Sequence, residues 1–116
     1  MKKRSDPRHQ KRIKLVQELF EFGFNPKQKS KEISEITKHL KKIDSVIEKA
    51  APLWPKNKIN RIDLAVLRLA VFELLYKSDT PEKVAIDEAV ELAKEYGSDA
   101  SPSFANGVLG KVVENL

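Results

Sequence analysis

The sequence predicts an all-α fold, a compact bundle of about five to six helices, and three observations carry that reading. Apolar residues recur at spacings of three and four along most of the 116 residues. Glycine and proline punctuation divides this pattern into segments of helical length. Nowhere does a run of useful length alternate apolar with polar residues, as a half-buried strand would.

The first helix opens at Asp6-Pro7, with Asp6 as N-cap and Pro7 in the first turn. Ile13, Val16, Phe20 and Phe24 form one apolar stripe, and Leu15, Leu19 and Phe22 form a second beside it. Together they cover about half the circumference, so this helix packs on two fronts. Lys14, Gln17, Glu18 and Glu21 take the solvent side, and Gly23, Asn25 and Pro26 end the helix. A second helix is expected from about Ser30 to Ala51. Its seam of Ile33, Ile36, Leu40, Ile43, Ile47 and Ala50 is narrow and suits a single neighbour.

Pro52 and Pro55 then break the chain around Trp54, which reads as a packing residue at the hinge rather than a ligand platform. Ile62 to Tyr76 is apolar nearly all round, which places it in the middle of the bundle. Of its charges Asp63, Arg68 and Glu73, the latter two read as ion-pair or capping groups to neighbouring helices, because an unpaired buried charge is costly. Asp79-Thr80-Pro81 offers the next helix start, with Ile86 as a later alternative, and Gly97 the stop. The last helix is expected to begin at Ser101 as N-cap with Pro102 in its first turn. Asn106-Gly107 falls within the helical period, so Gly107 is expected to admit a close helix crossing.

Length fits one domain, residues 1–116, with residues 1–12 as a basic arm running into the first helix. There is no cysteine, which removes disulfides, thiolate metal sites and thiol nucleophiles. No apolar stretch resembles a signal peptide or a membrane span, so no membrane partner and a cytoplasmic location are expected. The net charge of +5 is unevenly placed. Residues 1–14 carry seven basic side chains against Asp6, whereas the remainder holds 15 basic and 16 acidic ones. Such a concentration at one end suits an arm or helix face that meets polyanions.

Catalytic chemistry is hard to assemble from what is present. His9 and His39 lack ligand-spaced neighbours, and His9 stands among basic residues. No nucleophile elbow exists, and Gly107 and Gly110 follow no strand, so they make no phosphate-cradling loop. Asp87, Glu88 and Glu91 read as a solvated acidic helix face. Neither an enzyme, a metal nor a cofactor is expected. RNA suits the composition better: lysine and arginine neutralise phosphates, and aromatic side chains stack on bases. Phe104, at the start of the Phe104–Val108–Val112 stripe, serves equally well on spacing as a stacking residue or as core.

Three ordered motifs sharpen this. They are Pro55 with RIDLAVLRLAVFELL (Arg61 to Leu75), AIDEAVELAK (Ala85 to Lys94) and FANGVLG (Phe104 to Gly110). In that order, over about residues 53–113, with residues 60–116 matching best, the chain resembles the NusB family of transcription antitermination and ribosomal RNA maturation factors. The resemblance implies a small helical protein that binds boxA, a short single-stranded RNA element of ribosomal RNA leaders. It also implies a heterodimer with the ribosomal protein NusE inside an antitermination complex on RNA polymerase, and a possible homodimer. By character, the family's basic N-terminal RNA contact corresponds to Lys3, Arg4, Arg8, Lys11 and Arg12. The motif phenylalanine near RNA is Phe104, and the acidic position facing the protein partner is Asp63.

The chain departs from the family in three places. Its N-terminal half is reduced, with residues 25–29 where members carry a further helix. Ser103 stands where a basic residue commonly precedes the phenylalanine, and Gly110 where an aspartate follows NGVL. An alternative reading is a non-catalytic protein-interaction or RNA-targeting module, related to the NusB-like domain of ribosomal RNA cytosine methyltransferases.

Overall fold

The computed structural model describes residues 6–27 and 30–116. Among these, the regular elements are α1 (Pro7–Phe24), α2 (Ser34–Lys38), α3 (Leu40–Ala50), a 3-10 turn (Lys56–Lys58), α4 (Arg61–Tyr76), α5 (Glu82–Tyr96) and α6 (Ser101–Asn115). No strand occurs among the described residues. The all-helical expectation and its count are met.

Asp6 caps α1 as expected. Its backbone is extended (φ −61°, ψ 122°), and its Oδ1 accepts the Arg8 backbone N–H at 2.8 Å. One of the orphan donors of the first turn is thereby satisfied. Val16, Leu19 and Phe22 are buried, with Ile13, Leu15 and Phe20 half-buried beside them, so α1 does pack on two fronts. Phe24 leaves the expected stripe at 60% exposure. It meets Phe20 edge-on at 5.0 Å and lies 4.4 Å below the Arg61 guanidinium.

The single helix expected from Ser30 to Ala51 is two helices. At His39 the backbone departs from helical values (φ −105°, ψ 14°), and its N–H bonds back to Ile36 in a tight turn. The His39 ring stacks on Tyr76 of α4, centroids 3.9 Å apart and planes 18° from parallel. The break lets Ile33 and Ile36 on one side, and Ile43 and Ile47 on the other, reach one core. No proline or glycine marks position 39. A tertiary contact overrides a continuous helical pattern there.

α4 is the central helix, buried without interruption from Ala65 to Glu73 and packed by all five other helices. Arg68 and Glu73 are paired, as the sequence required. Arg68 Nε and Nη2 donate to the two Asp44 oxygens at 3.0 Å each, and Glu73 accepts from Arg12. Asn60 caps the helix, its Oδ1 accepting from the Ile62 N–H at 2.8 Å.

α5 starts directly after Pro81, at the earlier of the two expected positions. It ends at Gly97, where a Cβ would run into the Ser101 side chain and come within 2.8 Å of the Ala93 carbonyl. Ser101 is not the N-cap of α6. It is buried, and its Oγ accepts the Ser98 N–H at 2.9 Å, closing the α5–α6 loop from within. Nor does Gly107 sit at a helix crossing: a Cβ at Gly107 or at Gly110 would meet nothing within 4 Å. α6 packs instead through Ala105, Val108, Leu109 and Val112.

Candidate nucleic-acid interface

The N-terminal half of α1 carries the basic residues that the sequence singles out, and the fold sorts them into two sets. His9, Arg12, Val16 and Leu19 are buried at 3-4-3 spacing, so the inward face of α1 begins with two polar residues. Arg8 and Lys11 stand beside this face and are exposed. Lys3 and Arg4 lie outside the described residues.

The buried pair is held by three carboxylates. Arg12 Nε donates to Glu73 Oε2 at 2.8 Å, and its Nη1 donates to Glu88 Oε1 at 3.2 Å. His9 Nδ1 lies 3.2 Å from the same Glu88 oxygen, and its Nε2 lies 2.9 Å from Glu95 Oε1. This network joins α1 to α4 and α5. It corrects three expectations. Arg12 is 9% exposed with its guanidinium engaged, so it is a positioning residue for α1 rather than a phosphate contact. Glu88 is 1% exposed and belongs to no solvated acidic face, unlike Asp87, which is exposed and meets Lys83 at 3.4 Å. His9, basic only in its sequence neighbours, is surrounded in space by acids. The backward continuation of the Val16–Leu19 stripe onto Arg12 and His9 is the signal that locates them.

The exposed set differs in its freedom. Arg8 Nη2 meets Asp6 Oδ2 at 3.2 Å with 83% of its side chain in solvent. That hydrogen bond, followed by the Arg8 backbone N–H, holds the Asp6 carboxyl below its ordinary pKa, and Asp6 in turn raises the Arg8 guanidinium above its own. Lys11 makes no ion pair with a described residue. Lys14, one turn on, pairs loosely with Glu32 at 3.7 Å.

Phe104 is half-buried near the start of α6, its apolar body packed on the core. Trp54 approaches edge-on, centroids 5.8 Å apart at 72°, and remains 50% exposed beside Leu53 at 87%. Trp54 is thus a packing residue with half its surface in solvent. A cleft next to this pair is lined by Trp54, Lys58, Ile59, Asp63 and Phe104. Asp63 stands in the first turn of α4, with its Oδ1 shielded from solvent and without a donor among the described residues. The structure therefore brings Phe104 and Asp63 together, and adds Trp54 and Lys58, which sequence reasoning had not placed there. Arg8 and Lys11 stand apart from them, on α1. Among the described residues no group of three or more histidine or acidic side chains is arranged to hold a metal ion. No helix among them is long and apolar enough to cross a membrane.

Comparison with known proteins agrees with the motifs. The NusB family model matches residues 9–114. Transcription antitermination protein NusB from Alkaliphilus oremlandii is 48% identical over 99 residues, covering 83% of this chain and 72% of that protein. The Agathobacter rectalis protein of the same name is 47% identical, covering 67% of this chain and 60% of its own length. The one from Chloroflexus aggregans reaches 57% identity, covering 65% and 51%. The chain thus spans about half to three-quarters of the curated relatives it matches. A solved structure of T. maritima NusB superposes with a TM-score of 0.83 at 32% identity, over 94% of this chain and 92% of that one.

Proposed function

The chain belongs to the NusB family, and from that premise we propose that it is a non-catalytic RNA-binding factor of transcription antitermination, acting on boxA-type single-stranded RNA together with the ribosomal protein NusE. The observation that carries this reading is the division of α1. His9 and Arg12 fix the helix from beneath, while Arg8, paired with the cap residue Asp6, and Lys11 reach into solvent beside them. Cations carried on a fixed helix meet phosphates without the backbone having to order on binding, and released counterions supply the affinity. Lys3 and Arg4, which precede Arg8 in the sequence, add to the same basic charge. Sequence choice falls to the aromatic pair, where Phe104 and the exposed half of Trp54 offer surfaces on which unstacked bases can lie.

Asp63 is the partner-facing residue in this reading. Its place in the lining of the surface cleft beside Phe104 suits a basic or amide side chain supplied by NusE. The resulting heterodimer enters the antitermination complex on RNA polymerase. A homodimer would be the resting form if the same face self-associates.

Fluorescence anisotropy of a boxA oligoribonucleotide against a scrambled one, with and without NusE, tests the proposal. Preference for boxA that strengthens with NusE is the expected outcome. Equal binding of both RNAs, unaffected by NusE, refutes it. Arg8→Ala with Lys11→Ala should weaken binding, and Asp63→Ala should remove the NusE effect alone.

A further inference from the structure

A second cleft lies at the other end of α1, roughly 16 Å along the helix from Lys11 at 1.5 Å per residue. It has a volume of about 420 Å³ and opens between the C-terminal turn of α1, the start of α3, the 3-10 turn and the first turns of α4. That volume falls in the range of roughly 300–1,000 Å³ usual for small-molecule sites. Leu19, Phe22, Leu40, Ile59 and Leu64 make its walls apolar. The polar groups are few and nearly all cationic: Lys56, Arg61 and Arg68, with the Asn57 amide.

Arg68 is the informative one. It is 7% exposed, and its Nε and one N–H of Nη2 donate to Asp44, yet Nη1 has no partner among the described residues. A buried guanidinium with the N–H groups of Nη1 left over, in a residue lining a cleft, is a ready anion contact. Lys56 shares Asp44 at 3.2 Å and is half-exposed, so its remaining donors are available. Arg61 uses Nη1 on the Gly23 carbonyl at 2.8 Å and keeps its other nitrogens. Three cations face one carboxylate here, leaving two positive charges around an apolar cavity. A phosphate monoester, at about −1.5 to −2 near neutral pH, matches that excess better than a single carboxylate does. Asn57 adds adjacent donor and acceptor atoms, the pair that reads a base edge and that an acyl chain has no use for.

We propose that this cleft binds a nucleoside monophosphate, the phosphate held by Arg68 Nη1, Lys56 and Arg61 and the base lying against the Leu19–Leu64 wall beside Asn57. The site is separate from Arg8, Lys11 and Phe104, and stands or falls independently of the RNA reading above. The ligand is either a free nucleotide or the phosphorylated end of a strand, which present the same chemistry.

Titration of the isotopically labelled full chain with AMP, followed by amide NMR, tests it. Saturable shifts at Leu19, Gly23, Ile59 and Leu64 are expected, with adenosine and inorganic phosphate each at least tenfold weaker. Lys56→Gln and Asn57→Ala are both exposed changes that spare the Arg68–Asp44 pair. Each should weaken AMP at least fivefold with the melting temperature unchanged. A 5′-phosphorylated oligoadenylate that shifts the same amides identifies a strand end as the ligand, and one that does not identifies the free nucleotide. Shifts confined to Arg8 and Lys11, equal responses to AMP and phosphate, or no saturation at millimolar nucleotide would each overturn the proposal.

Discussion

Arg12 and Arg8 are four residues apart on one helix, carry the same charge and do different work. Arg12 neutralises Glu73 and Glu88 in the interior, so its removal takes the guanidinium from Glu73 and leaves Glu88 to its remaining contacts, His9 among them. Breaking a buried pair this way costs about 3–5 kcal/mol. Arg12→Ala should therefore lower the urea midpoint sharply, while Lys11→Ala leaves it near the parent value. If Arg12→Ala unfolds no more readily than Lys11→Ala, the network is not holding α1. Composition placed both arginines in one basic cluster, because a charge count carries no direction. The direction was present in the spacing, since His9 and Arg12 precede Val16 and Leu19 at helical intervals. The stripe changes there from apolar to polar residues, so hydrophobicity alone does not mark its continuation. Arg68 and Glu73 were readable as ion-pair members because apolar neighbours on every side leave a charge no other option. Their partners Asp44 and Arg12, distant in sequence, were not.

At the scale of elements, the glycines of the last loop and helix have opposite characters. Gly97 is required by close approach, and a Cβ there would crowd both the Ser101 side chain and the Ala93 carbonyl. Gly97→Ala should cost about 1–3 kcal/mol, as overpacking usually does. Gly107 and Gly110 sit in helical turns with open space where a Cβ would be. Each change to alanine should stabilise α6 by about 0.5–1 kcal/mol through reduced freedom of the unfolded chain. Thermal unfolding of the three variants checks both signs, and destabilisation by Gly107→Ala would mean a neighbour lies closer than the fold shows. The cap of α1 makes a pH prediction. Asp6 has its pKa lowered in the folded chain, first by the Arg8 side chain and then by the Arg8 N–H. Its stabilising effect is complete above the ordinary carboxylate value of 3.8 and is lost as pH falls through the lowered one. Amide exchange in the first turn of α1 should speed up only below that range, and Asp6→Asn should remove the dependence. The break at His39 shows what segment-level reading misses: a continuous seam predicts one helix, and only the Tyr76 ring, 37 positions away in sequence, accounts for two.

Across the whole molecule, fifteen basic and sixteen acidic residues beyond position 14 leave the body of the domain nearly neutral, so the net charge of +5 acts from one end. Burial of Arg12 removes one cation from that end without changing the total. This has a measurable consequence for RNA. For a single strand, each neutralised phosphate contributes about −0.7 to the slope of log affinity against log salt. Arg8→Ala with Lys11→Ala should flatten the slope by about 1.4, and weaken boxA and scrambled RNA alike, because phosphate contacts carry no sequence information. Phe104→Ala should do the reverse: the slope stays, and the preference for boxA over the scrambled strand shrinks, since stacking and base contacts are screened little by salt. Leu109 and Val112 hold α6 in the core, so truncating the half-buried Phe104 ring leaves the helix in place as the binding is read. Should the slope survive the double α1 substitution, the phosphates lie elsewhere, and the lysines of the 3-10 turn, Lys56 and Lys58, beside both clefts, become the next to replace.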